Sequence, residues 1–306
     1  MPSLLVISLS AIFVVLIFAN IIVFGLGLKY PQKDWLELRQ RVRSWWIIII
    51  VFSVAMVSPK WLSLTIFGFI SFLALKEFLT LVPTRRSDNI PLLWMYIAIP
   101  IHYFWIGMGW YGMFIIFIPV YAFLFLPIRM VLIGDTRGFL QAASNMHWGL
   151  MTTVFAFSHV AFLLFLPHED VRGGSLLIIF LVVLTEFNDI AQYLWGKSLG
   201  RMKITPTVSP NKTLVGLVGG VATTTFLAAV IGPFLTPMSI SSSLLAGLLI
   251  GLSGFCGDVV MSAVKRDLGV KDSGKLLPGH GGLLDRLDSL IYTAPLFFHF
   301  IYYFYY

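Results

Sequence analysis

Asp258, Ser262, Lys265 and Arg266 stand at i, i+4, i+7 and i+8 in a largely apolar run, a spacing that lines a carboxylate, a hydroxyl and two cations along one stripe of a helix. A second carboxylate pair, Asp285 and Asp288, follows at i, i+3. Between them lie Lys271-Asp272 and the run Pro278-Gly279-His280-Gly281-Gly282, a polar loop whose glycines let backbone amides come close to a phosphate. Carboxylates facing cations around such a loop suit magnesium with a polyphosphate: hard oxygen ligands hold the ion while Lys and Arg hold phosphate oxygens. The bland reading is a charged juxtamembrane loop that pairs with itself and with anionic head groups. It leaves Asp258 inside an apolar run and the glycine stretch unexplained.

Upstream, Asp189 falls within another apolar run, about 10 Å short of its basic end near Lys197 at about 1.5 Å per residue. A carboxylate that deep in lipid is costly without a partner, which marks it as a candidate for function. Tyr193 and Gly196, at i+4 and i+7, share its face, and Glu186 lies deeper still, where a structural ion pair is the stronger account. Val208-Ser209-Pro210-Asn211-Lys212-Thr213 then precedes an apolar helix carrying Gly216, Gly219 and Gly220. Free backbone N–H groups at a helix start beside a lysine make a phosphate seat, although a Ser or Thr there is as often only a cap and the small residues only a packing face.

The elements that must position these groups are membrane spans. The 306 residues are 58% hydrophobic and only 11% charged, and their mean hydropathy is +0.90; only lipid can cover that much apolar surface, which excludes a soluble enzyme, a disordered chain and a DNA-binding domain. Apolar runs fall near 3–28, 44–59, 61–82, 90–107, 110–133, 145–166, 173–196, 213–235, 242–264 and 287–306. An all-α, polytopic protein of about ten spans is predicted, or nine if the stretch 44–82, broken at Pro59, holds one span and a re-entrant piece. The first run is too long for a signal-peptide core and is predicted to stay as a span. Of the 21 Lys and Arg, all but Lys60 and Arg172 fall in alternate loops, so those loops are expected in the cytoplasm, both termini outside, and no nucleic-acid partner is needed to explain the net charge of +7. Residues 1–172 read as an N-terminal region of about six spans whose polar residues, His102, His147, His159, Glu77 and Asp135 among them, look like packing or interface anchors; 173–306 read as a catalytic region with loops 197–212 and 265–286. Cys256 reads as a packing residue, and a single cysteine offers no disulfide framework.

At these residues the chain resembles the phosphatidate cytidylyltransferases, or CDP-diacylglycerol synthases. The family's pattern is met by Ser262, Lys265, Arg266, Lys271, Asp272, Gly274, Pro278, Gly279, His280, Gly281, Gly282, Asp285, Arg286 and Asp288. Two upstream features of the family are met by Asp189, Tyr193 and Gly196, and by Ser209, Pro210, Lys212 and Thr213. The resemblance covers about 185–290 and departs at Val215, where members commonly carry Glu. It implies a Mg²⁺-dependent transfer of CMP from CTP to phosphatidate, giving CDP-diacylglycerol and pyrophosphate, within the bilayer of a bacterial inner membrane or its equivalent. The nucleophile is then a lipid phosphate oxygen, already anionic, so catalysis reduces to in-line positioning and charge neutralisation. Asp258 and Asp285 are assigned to the metal, with Asp288 and Asp189 supporting them or holding a second cation. Lys212, Lys265, Arg266, Lys271, Arg286 and His280 are assigned to the phosphates of CTP and lipid, and Ser209, Thr213, Ser262, Asp272, Gly281 and Gly282 complete the substrate site. A homodimer is compatible with this reading. The alternatives are transfer to another lipid phosphate, a CTP-dependent lipid kinase, and, from a different class, a cation-coupled transporter; the last is disfavoured because the carboxylates gather at one membrane face rather than the midplane.

Overall fold

The computed structural model describes residues 3–32, 34–167, 173–276, 278–279 and 281–306, and Arg86 by its backbone alone. Among these residues the chain forms ten long helices, with a short 3₁₀ turn at Arg86–Asp88: α1 Leu4–Lys29, α2 Leu36–Val57, α3 Lys60–Leu81, α4 Asn89–Gly107, α5 Tyr111–Val131, α6 Phe139–Phe165, α7 Gly173–Leu199, α8 Leu214–Leu235, α9 Ile240–Asp267 and α10 Leu284–Tyr305. The first nine are long and apolar enough to cross a membrane. The tenth, which carries Asp285, Arg286, Asp288, His299 and several tyrosines, is as long but more polar. The protein is thus an all-α, multi-pass membrane protein, with an isolated antiparallel bridge between Lys203 and Thr213.

The stretch 44–82 is two helices, with no re-entrant piece. Pro59 sits at the N-cap of α3, where the missing N–H is no loss, and the break at Ser58-Pro59 lets the chain reverse. Several helices outrun their apolar cores: α2 starts at Leu36 rather than 44, α6 at Phe139 rather than 145, α10 at Leu284 rather than 287. Polar turns continue a helix wherever neighbouring elements hold their side chains. Wide π turns interrupt α5 over Phe117–Ala122, which contains Pro119, and α6 over Leu150–Ala156, where a proline or a crowded packing face displaces the regular bond pattern.

α6 and α7 are enclosed over most of their length, while α1 shows most of its side chains at the surface. α7 packs against α8 and α9, α9 against α10, and α10 returns against α3, α6 and α7, so the last four helices close on one another and on the centre of the bundle. Cys256 is exposed on α9 rather than packed, which corrects the expectation from its apolar surroundings. The basic loops gather at one end. Arg85 donates to the Asp88 carboxylate at 2.8 and 2.7 Å and to the carbonyls of Asp135 and Arg137, joining the α3–α4 loop to the α5–α6 loop. Asp135 accepts from the Ser87 hydroxyl and from the backbone N–H of Arg137, which with the nearby guanidinium holds its carboxyl below the usual range. Glu77 and Asp135, read from sequence as weak anchors, are therefore both engaged across long sequence separations.

Candidate active site

The charged groups singled out in the sequence meet at that same end, on α7, α8, α9 and α10. Thr213 caps α8, its hydroxyl accepting the N–H of Gly216 at 3.1 Å. This cap sets Lys212 just ahead of the helix start. Its ammonium reaches Asp258 Oδ2 at 2.6 Å and donates to Gln192 Oε1 at 3.1 Å. Ser262, one turn along α9, donates to Asp258 Oδ1 at 3.2 Å.

A second carboxylate is held in the same manner. Asp285, in the first turn of α10, accepts the backbone N–H groups of Ser273 and Gly282 on Oδ2 at 2.8 and 2.9 Å, and the Lys265 ammonium on Oδ1 at 2.7 Å. Each of the two aspartates thus has one oxygen fixed by a protein donor and the other covered by a lysine. Asp258 and Asp285 share no hydrogen-bond partner. Lys265 also lies 4.0 Å from Asp288, whose other oxygen accepts the N–H of Ser289. The charges of Asp258 and Asp189 both reach Asp288. Asp189 accepts the Ser289 hydroxyl on Oδ2 at 2.8 Å and leaves Oδ1 buried without a partner; Glu186 is its deeper neighbour, with Arg286 close enough to act on it electrostatically.

Other candidates are placed differently. Lys271 and Asp272 are exposed, as is Arg266, which donates to the carbonyl of Val270 at 2.9 Å. Arg286 is partly buried, with Nε unpartnered. Ser209 lies in the turn that leads to Lys212, its carbonyl accepting the lysine's N–H. Tyr193 is exposed and takes a contact from Lys197. Gly281 has φ +84°, open to glycine and strained for other residues, and a Cβ there would stand 2.7 Å from Asp285 Oδ2. His280 lies outside the described residues.

Two residues that sequence reasoning passed over belong here. Gln192, at i+3 from Asp189, is buried and, with its oxygen taken by Lys212, leaves its amide Nε2 without an acceptor. The helical spacing from Asp189 was a readable signal. Glu77, from α3, accepts Ser273 Oγ at 2.5 Å, Leu283 N at 2.8 Å and Leu284 N at 3.0 Å. Its signal was only that of a carboxylate inside an apolar run.

Among the described residues no three Asp, Glu, His or Cys side chains converge as a ready metal cage. The donor set nonetheless fits magnesium, which keeps several waters and is usually held by one or two carboxylates together with substrate phosphates. Hard oxygens, lysines resting where a cation could sit, and the unpartnered Asp189 Oδ1 meet that requirement.

The family model described as the cytidylyltransferase family matches residues 39–304. The chain belongs to that family. It is 55% identical over 296 residues to the uncharacterized protein YnbB of Escherichia coli (strain K12), covering 97% of this chain and 98% of that one. It is 37% identical over 142 residues to a phosphatidate cytidylyltransferase of Staphylococcus epidermidis (46% of this chain, 54% of that one) and 42% identical over 135 residues to one of Synechocystis sp. (44% and 45%). This cytidylyltransferase-family chain spans about half the length of those named phosphatidate cytidylyltransferases, and nearly all of YnbB.

Proposed function

We propose that the protein transfers CMP from CTP to phosphatidate, releasing pyrophosphate and leaving CDP-diacylglycerol in the bilayer. The observation that carries this reading is the pair of lysine-capped carboxylates, Lys212–Asp258 and Lys265–Asp285, flanking the glycine loop at one end of the bundle. Magnesium, when bound, neutralises phosphate charge and polarises the phosphorus that is attacked. Asp258 and Asp285 would hold it through the oxygens their lysines now cover, with Asp288 beside them and Asp189 available to a second cation. Lys212 and Lys265, released from their carboxylates, would take phosphate oxygens; Arg266, Lys271, Arg286 and His280 would add to that grip, and Ser262 would keep Asp258 in its rotamer. No general base is needed, because the attacking lipid phosphate oxygen is already anionic.

The Gln192 amide supplies a donor for one more substrate oxygen. A buried N–H without an acceptor costs about 1 to 3 kcal/mol, which a ligand oxygen would recover. The site lies at helix ends, so acyl chains remain among the spans while CTP arrives from water. The basic end would face the cytoplasm and both termini the outside. A second reading, transfer to another lipid phosphate, is supported by the near full-length match to the uncharacterized YnbB, against matches over less than half of this chain to the named phosphatidate cytidylyltransferases. The test is incubation of purified protein with CTP labelled at the α-phosphate, Mg²⁺ and a panel of lipid phosphates. Label in CDP-diacylglycerol supports the proposal; label in another CDP-lipid alone supports the second reading; label in neither overturns both.

A further inference from the structure

Helix α10 starts without a capping side chain of its own, for Leu283 stands at its N-cap. The first N–H groups of a helix need acceptors, and with Leu284 buried water is a poor source. Glu77 supplies them from another helix: its two oxygens take the N–H groups of Leu283 and Leu284 and the hydroxyl of Ser273. A carboxylate is also the charge a helix N-terminus favours. Asp285 closes the same ring from the other side by accepting the N–H groups of Ser273 and Gly282. The two carboxylates therefore staple both ends of segment 273–284. α2 seats the loop between them: Ser44 donates to the carbonyl of Pro278 at 2.8 Å, and Gly279 lies so close that a Cβ would stand 3.0 Å from Gln40 Cβ and 3.1 Å from Glu37 O.

We infer that Glu77 is a positioning residue for the nucleotide-handling loop: it fixes the spacing of the Gly281–Gly282 backbone from Asp285 and so sets the phosphate seat, without touching substrate. The inference rests on the function proposed above. Gly282 makes the dependence specific, since a Cβ there would overlap Glu77 Oε1 and Ser273 Oγ. Displacement of a positioned group by about 1 Å can cost on the order of 100-fold in rate.

The experiment uses the full-length protein in nanodiscs and two readouts. Glu77→Ala should lower kcat/KM for CTP by about 10- to 100-fold and speed backbone hydrogen exchange in peptides spanning 273–284, while exchange in α7 and α8 stays as in the wild type. Glu77→Gln keeps an acceptor at one oxygen and turns a donor toward another N–H, so it should fall between. Glu77→Ala with wild-type kcat/KM, or with unchanged exchange over 273–284, overturns the inference, as does faster exchange spread through the whole bundle. If Glu77→Ala does not insert, Glu77→Gln decides by the same two readouts. A wild type that forms no CDP-lipid counts against the proposed function, and exchange over 273–284 alone then decides whether Glu77 holds the loop.

Discussion

At the residue scale the site is a set of carboxylates held half-closed by lysines. The Lys212–Asp258 pair is partly buried, with side-chain exposures of 17% and 24%, so its lysine is shielded enough to make a firm charge-assisted contact once it turns to a phosphate. Such a contact is worth about 1.5 to 3 kcal/mol, so Lys212→Ala should lower kcat/KM by roughly 10- to 150-fold, read in the same CTP-labelling assay with phosphatidate as acceptor. An unchanged value would leave Lys212 as a topological anchor. Asp258→Asn and Asp285→Asn keep shape and remove charge; both should bring turnover to background while insertion is retained. They should differ structurally. In Asp285→Asn the new amide must turn its NH₂ toward either Lys265 or the N–H groups of Ser273 and Gly282, so the loop should loosen, whereas Asp258→Asn should leave it intact. Proteolysis within 273–284 distinguishes the two, and near-normal Mg²⁺-dependent turnover in either variant would overturn the metal assignment.

At the scale of elements, α7 and α8 approach through small residues. A Cβ at Gly216 would stand 2.8 Å from the Gln192 carbonyl and 3.2 Å from Gly196 Cα, and one at Gly220 would stand 3.0 Å from Gln192 N. Without a hydrophobic drive between helices in lipid, such close approach is how they hold together. It also sets the distance from Asp189 and Gln192 on α7 to Lys212 before α8. Gly220→Ala should therefore destabilise by about 1 to 3 kcal/mol through overpacking and lower activity at the same time, measured as thermal unfolding in detergent alongside turnover. Wild-type stability would mean that the helices separate freely. These elements were legible because their signals are local: apolar length gave the spans, and a Thr before Leu214 gave the cap. The staple at Glu77 was not, since it joins α3 to Leu283 and Leu284 across some two hundred residues, and no local spacing encodes that. The same limit explains the pairing pattern. Spacing put Asp258, Ser262 and Lys265 on one stripe, and Ser262 does meet Asp258; but the cation that closes Asp258 comes from before α8, and Lys265 turns instead to α10.

At the scale of the whole molecule, the basic loops share one end of the bundle, shown by contacts that cross it: Ser44 to Pro278, Glu77 to Leu283, Arg85 to Asp135, Lys212 to Asp258. The opposite end is aromatic, with the Tyr111 and Tyr303 hydroxyls 3.0 Å apart; Arg172, an exception to the charge pattern, lies outside the described residues. Clustered Lys and Arg resist translocation, so the basic end should face the cytoplasm, where CTP would be drawn from. Cysteine labelling tests this, starting from Cys256→Ser because the native thiol is exposed on α9. Ser273 is a poor reporter, being buried and bonded to Glu77. Lys275 is exposed beside it, and Met108, 63% exposed, marks the opposite end. A membrane-impermeant thiol reagent applied outside intact cells should label Met108→Cys at once and Lys275→Cys only after the membrane is opened. Labelling of Lys275→Cys from outside would reverse the orientation and place the candidate site away from the cytoplasmic nucleotide pool.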